Sequence, residues 1–156
     1  MLCGNCGALI IEFAANCPYC RQKVESRKEH PRLGILLVED DDELRNLLER
    51  WFTLANLNVT AVANGKDALE EYGRHNFDIA LVDVDLPFIS GIEVARTIKN
   101  NTPNLPVLLC TAYAKSLIEE EVEAAHVDGF INKPIELDFL LLTIQNLTFG
   151  GLEPLE

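Results

Sequence analysis

From residue 33 onward, short apolar runs alternate with longer segments whose apolar positions recur at helical spacing. Ile35 to Val38, Asn58 to Val62, Ile79 to Val82, Val107 to Cys110 and Gly129 to Ile131 read as five strands buried on both faces. After the first run, Leu44, Leu47, Leu48, Trp51, Phe52 and Ala55 follow the i, i+3, i+4, i+7 rhythm of an amphipathic helix, with Asp41 or Asp42 as its N-cap. The last segment repeats that rhythm through Leu137, Leu140, Leu141, Ile144 and Leu147, and Gly150 and Gly151 are expected to end it. Five strand and helix units of this length predict a parallel sheet covered on both faces, because right-handed crossovers place helices on both sides. The expected architecture is a three-layer α/β sandwich, with functional groups gathered at the carboxyl ends of the strands.

The pattern before residue 33 is different. Cys3-x-x-Cys6 and Cys17-x-x-Cys20 lie ten residues apart, a spacing that suits four thiolates around one ion. Turn-forming neighbours (Gly4, Asn5, Gly7, Pro18) let backbone amides point at sulfur and stabilise its charge. Leu9, Ile10, Ile11 and Phe13 supply only a token core, so metal binding has to provide most of the folding free energy. The segment resembles the short zinc ribbons found at the ends of many bacterial proteins. Structural Zn²⁺ is the expected occupant, with iron in a rubredoxin-like site or thiol redox chemistry as alternatives. Four thiolates leave no open coordination position, which points to a protein or nucleic-acid contact module and away from catalysis. The polar stretch that follows, running to Pro31 and Arg32, reads as a connector, and His30 within it as solvated. The organisation expected is a ribbon over residues 1–22, a linker over 23–32, an α/β domain over 33–150 and a tail over 151–156.

Charge narrows the partners. The net formal charge is −12, and it is unevenly placed: residues 1–32 hold five basic and three acidic side chains, residues 33–156 eight and 22. The larger part therefore carries −14, which argues against direct nucleic-acid binding by that part. No apolar stretch approaches the roughly 18 residues of a membrane span, and a cytoplasmic protein is expected. In that compartment stable disulfides are disfavoured, and Cys110, inside an apolar run, reads as a small buried thiol.

At the strand ends the sequence turns acidic. The first strand runs into Glu39-Asp40-Asp41-Asp42, the third into Asp83-Val84-Asp85, the fourth into Thr111, and the fifth into Lys133-Pro134. Carboxylates converging from two strands need a neutralising cation, and hard oxygen ligands on a rigid edge suit Mg²⁺.

Taken together, these residues resemble the receiver domain of two-component response regulators over about Leu33 to Phe149. The resemblance implies a flavodoxin-like fold with strand order 2-1-3-4-5, an order that comes with the fold class and not from spacing. It aligns the acidic pair with Glu39 and Asp40, the phosphoacceptor with Asp83, the hydroxyl position with Thr111, the switch aromatic with Phe130 and the lysine with Lys133. It further implies Mg²⁺ held by Asp40, Asp83 and the carbonyl of Asp85, with Glu39 acting through water, Gly91 opening a close-packed turn, and a cis bond at Lys133-Pro134. The implied function is acceptance of a phosphoryl group from a histidine kinase or phosphotransfer protein, without an enzymatic activity of its own, and signalling by protein–protein contact. With no output domain read after Glu156, output is expected through the ribbon, a partner protein or competition for phosphoryl groups. Asp85 and Tyr113 depart from the commonest family pattern, and slow loss of the phosphoryl group is expected from repulsion and shielding of the attacking water. The competing reading is a constitutive adaptor whose ribbon does the recognising; a flavin-binding or hydrolytic function is disfavoured because this sequence offers neither a phosphate-cradling glycine loop nor a Ser/His/Asp set.

Overall fold

The computed structural model describes residues 6, 16, 17, 19–22, 32–113 and 119–149. Five strands and five helices alternate: β1 (Gly34–Val38), α1 (Asp42–Leu54), β2 (Asn58–Val62), α2 (Gly65–Arg74), β3 (Ile79–Asp83), α3 (Gly91–Asn101), β4 (Val107–Thr111), α4 (Glu119–Ala124), β5 (Gly129–Asn132) and α5 (Leu137–Phe149). All strand pairings are parallel, in the order β2-β1-β3-β4-β5.

The alternation of side chains along each strand divides the interior into two layers. Ile35, Leu37, Ile79, Leu81, Leu108, Cys110 and Ile131 face one way and meet Leu48, Trp51 and Phe52 of α1 and Leu140, Leu141 and Ile144 of α5. Leu36, Val38, Ala80, Val82, Val107 and Leu109 face the other way, onto Ala68 of α2, Val94, Ala95 and Ile98 of α3 and Val122 of α4. The three central strands are buried at every position. β2 and β5 depart from the expectation of two buried faces: they are only half-covered, because each lies at an edge of the sheet. The apolar stripe of α1 is likewise narrower than its sequence suggests, since Leu47 is 56 % exposed while Leu48, Trp51 and Phe52 are buried.

Local signals set the helix starts. Asp41 accepts from the Leu44 amide at 2.9 Å, Asn64 from Asp67 at 2.9 Å and Ser90 from Glu93 at 3.2 Å, each satisfying an amide that the first turn leaves unpaired. The expected stop of α5 at Gly150 and Gly151 lies outside the described residues. At the amino-terminal edge of the sheet, buried Lys99 donates to Pro103 O (2.6 Å), Leu105 O (3.2 Å) and Asp128 Oδ2 (2.8 Å). Asp128 also accepts from the Val107 amide at 2.8 Å, so one ion pair pins the starts of β4 and β5.

Gly91 has a role at the opposite edge. A Cβ there would lie 1.8 Å from the carbonyl oxygen of Asp83, and the Gly91 amide donates to Val84 O at 2.9 Å. The chain after β3 thus folds back against the backbone of Asp83 as closely as atoms allow. Gly91→Ala is expected to cost about 3 kcal/mol through overpacking, read as a lower urea midpoint at unchanged m-value.

Candidate functional site

Because all strands run parallel, their carboxyl ends lie along one edge, and the acidic residues meet there. Asp83 closes β3 and Glu39 follows β1; both are buried, at 4 % and 2 % exposure, next to exposed Asp40. One oxygen from each of Glu39, Asp40 and Asp83 lies within 4.8 Å of the others. Lys133, just past β5, places its Nζ 2.9 Å from Asp83 Oδ2 and 2.8 Å from Glu39 Oε2. The Lys133–Pro134 bond that precedes α5 is cis.

Two carboxylates buried this close are held together by the ammonium they share. Burial pushes the Glu39 carboxyl above its usual range, the Lys133 hydrogen bond opposes that rise, and the charge of Asp83 reinforces it. Burial works against the charged form of Lys133, yet hydrogen bonds to Glu39 and Asp83 outweigh it and leave the lysine above its ordinary range. The donor set is hard oxygen with one exposed member, a set that fits Mg²⁺ and leaves part of its shell to water or phosphate.

Backbone contacts complete the frame. The Asp85 amide donates to Asp83 Oδ1 at 3.3 Å, and the Asp41 amide to Glu39 Oε1 at 3.2 Å. The Asp85 side chain is exposed and is not among the three clustered carboxylates. Thr111, fully buried at the end of β4, accepts from the Tyr113 amide at 3.0 Å, and the Tyr113 side chain is 47 % exposed. Phe130 pairs with Leu109 and is partly buried against the α2–α4 layer, the face to which strand alternation also assigns Thr111. Burial pushes the Cys110 thiol, which opposes Asp83 in register, far above its normal range and keeps it protonated.

Arg45 is a contributor that the sequence reading passed over. Its Nη1 donates to the carbonyls of Glu39 (2.9 Å) and Asp40 (3.5 Å), and its Nη2 pairs with Asp42, so it steadies the loop that carries both acids. The available signal was the i, i+3 spacing of Asp42 and Arg45 at a helix start. Phe88, in the loop after Asp83, was missed too: it is 94 % exposed with φ of 68°.

A family model, the response regulator receiver domain, matches residues 35–145. The chain belongs to that family. Among curated relatives, a cyclic di-GMP phosphodiesterase of Thermotoga maritima is 42 % identical over 112 residues, covering 72 % of this chain and 30 % of that protein. Response regulator ArlR of Staphylococcus aureus is 32 % identical over 111 residues, 71 % of this chain and 50 % of that protein. The chain thus spans about a quarter to a half of the length of such relatives. Among solved structures, the Thermotoga maritima response regulator TrrA in complex with Mg²⁺ and beryllofluoride superposes with a TM-score of 0.67 at 28 % identity, over 74 % of this chain and 98 % of that one. Chemotaxis protein CheY4 of Vibrio cholerae superposes with a TM-score of 0.71 at 24 % identity, over 75 % and 99 % of the two chains, a likeness of fold.

Outside the receiver, Cys6, Cys17 and Cys20 bring their sulfurs within 4.8 Å of one another, with Cys6 and Cys17 at 3.6 Å. Cys3 lies outside the described residues. Among the described residues, no helix is long and apolar enough to cross a membrane.

The shared ammonium yields a direct expectation. Lys133→Ala leaves two buried carboxylates facing each other and should lower stability by about 3 kcal/mol without divalent metal. Millimolar Mg²⁺ should recover more of the melting temperature in the variant than in the wild type, as scanning calorimetry would register.

Proposed function

We propose that the receiver takes up a phosphoryl group on Asp83 from a histidine kinase or phosphotransfer protein and signals by presenting an altered surface to a partner protein. The observation that carries this reading is the buried Asp83 carboxylate set between the Glu39–Asp40 acids and the Lys133 ammonium at the open edge of the sheet. In the transfer, a carboxylate oxygen of Asp83 attacks phosphorus in line. The bond from phosphorus to the donor breaks, and the donor leaves with the bonding electrons. Asp40, Asp83 and the Asp85 carbonyl, with Glu39 through water, would hold Mg²⁺, which would supply neutralisation of phosphoryl oxygens. Lys133 then exchanges a carboxylate partner for a phosphoryl oxygen, and the Thr111 hydroxyl donates to another.

The response follows from sharing one face of the sheet. Movement of Thr111 toward the phosphate opens space beside Phe130, whose ring turns further inward. Phe130 also lines a surface groove of about 680 Å³ between α4 and β5, together with Val122, His126 and Val127, and this is where we place the partner contact. The site lies in the cytoplasm on this reading, where kinases hold their phosphohistidines. The name of the phosphodiesterase relative describes a protein that this chain matches over 30 % of its length, and no such activity is assigned to the receiver.

We also read the cysteine cluster as a structural Zn²⁺ site, with Cys3 as the fourth ligand beside Cys6, Cys17 and Cys20. Tetrahedral Zn–S bonds of about 2.3 Å set sulfurs about 3.8 Å apart, close to the 3.6 Å between Cys6 and Cys17.

Incubation with acetyl phosphate and Mg²⁺ should add one phosphoryl group to the wild type and none to Asp83→Ala, by intact-protein mass spectrometry. Equal labelling of the two, or none in either, removes the assignment and leaves the adaptor reading. The labelled protein should keep its phosphoryl group for minutes or longer, because Tyr113 and the Asp85 carboxylate flank the approach of water; decay within seconds in a phosphate-release assay contradicts that account.

A further inference from the structure

Among the described residues, Tyr19 carries the cysteine cluster onto the receiver. Tyr19 sits between Cys17 and Cys20, and its ring stands edge-on to the indole of Trp51 in α1, with centroids 6.2 Å apart and planes at 78°. Its hydroxyl donates to Oδ1 of Asp138, in the first turn of α5, at 2.5 Å. A single side chain therefore spans two helices of the receiver, with its ring on one and its polar end on the other. The turn that presents it is tightly closed: Cys17 N donates to Gln22 O at 2.8 Å and Arg21 N to Cys17 O at 2.9 Å, with Arg21 in the left-handed region at φ 59°. Cys17 is fully buried.

We propose that metal binding at Cys6, Cys17 and Cys20 locks Tyr19 across α1 and α5, so that occupation of the thiolate site and stability of the receiver are thermodynamically coupled. This rests on the reading of the cluster as a zinc site. Three thiolates at these separations repel one another unless a cation joins them, and so short a segment has too little core to hold the turn otherwise. With the ion in place, the turn offers Tyr19 in the one position that meets both Trp51 and Asp138. A ligand that favours the docked form stabilises it, and docking strengthens metal binding by the same factor. A ribbon merely tethered to the domain would bind zinc with no effect on the receiver.

The test uses the full chain and Zn²⁺ alone, with Co²⁺ as a spectroscopic stand-in. One equivalent of Zn²⁺ should raise the receiver's melting midpoint, followed by far-UV circular dichroism, and its removal by a chelator should shift emission of Trp51, the chain's single tryptophan, to the red. Tyr19→Ala and Asp138→Ala should keep the thiolate-to-cobalt absorption and one zinc per chain. Tyr19→Ala, which removes both contacts, should lose the zinc-dependent rise, whereas Asp138→Ala, which removes only the hydrogen bond, should lose part of it and bind zinc about tenfold more weakly. Tyr19→Phe, which loses the same hydrogen bond and keeps the ring, should match Asp138→Ala and fall between Tyr19→Ala and the wild type. If zinc binds but leaves the midpoint and Trp51 emission unchanged, or if Tyr19→Ala keeps the full rise, the coupling is refuted and the zinc site survives. If no zinc binds, both fall; neither outcome bears on phosphorylation of Asp83.

Discussion

Two carboxylates that burial would drive apart are kept side by side by one ammonium, and much of the molecule can be read as the scaffold for that arrangement. Glu39 and Asp83 come from different strands, Lys133 from the far side of β4, and no two of them are neighbours in sequence. Each alone would be an expensive side chain to bury. Together, at 2.8 and 2.9 Å from a common nitrogen, they form one charged centre at the edge of the sheet. The parallel sheet supplies the convergence, the Arg45 guanidinium steadies the loop after β1, and the tight return at Gly91 fixes the backbone beneath Asp83.

The central strands and the long helices were legible because their patterns were forced by burial. β1, β3 and β4 have no exposed position, so each reads as an apolar run, broken in β3 and β4 only by the final residues Asp83 and Thr111. The edges were less legible from the apolar pattern: β2 and β5 are half-covered although their residues are apolar enough to pass for core, because the pattern alone does not say which strand lies outermost, and the order came only with the family resemblance. The acidic residues were recognisable as a set from their places after successive strands. What could not be seen was how the set is supported. Arg45 acts through main-chain carbonyls, and Tyr19 acts through residues 32 and 119 positions away, and neither relation leaves a periodic trace.

The same contrast separates the two parts of the chain. The receiver owes its order to two apolar layers, whereas the described cysteines Cys6, Cys17 and Cys20 gather sulfur to sulfur. Among the described residues, Tyr19 brings these two ways of building structure into contact. Partial burial and the neighbouring Asp138 carboxylate push its hydroxyl far above the usual tyrosine range, so it stays a donor at any physiological pH.

The lysine at the other end of the sheet gives this arrangement a fulcrum. Lys99 has three acceptors and no room for another, and through Asp128 it nails down the beginnings of β4 and β5. Lys133, at the ends of those strands, has partners it can trade. On the proposed reading, a displacement at Thr111 would not be absorbed by sliding the strand pair as a whole and would fall on the carboxyl ends, where Asn132 is exposed. A fold that immobilises one end of a lever concentrates its travel at the other.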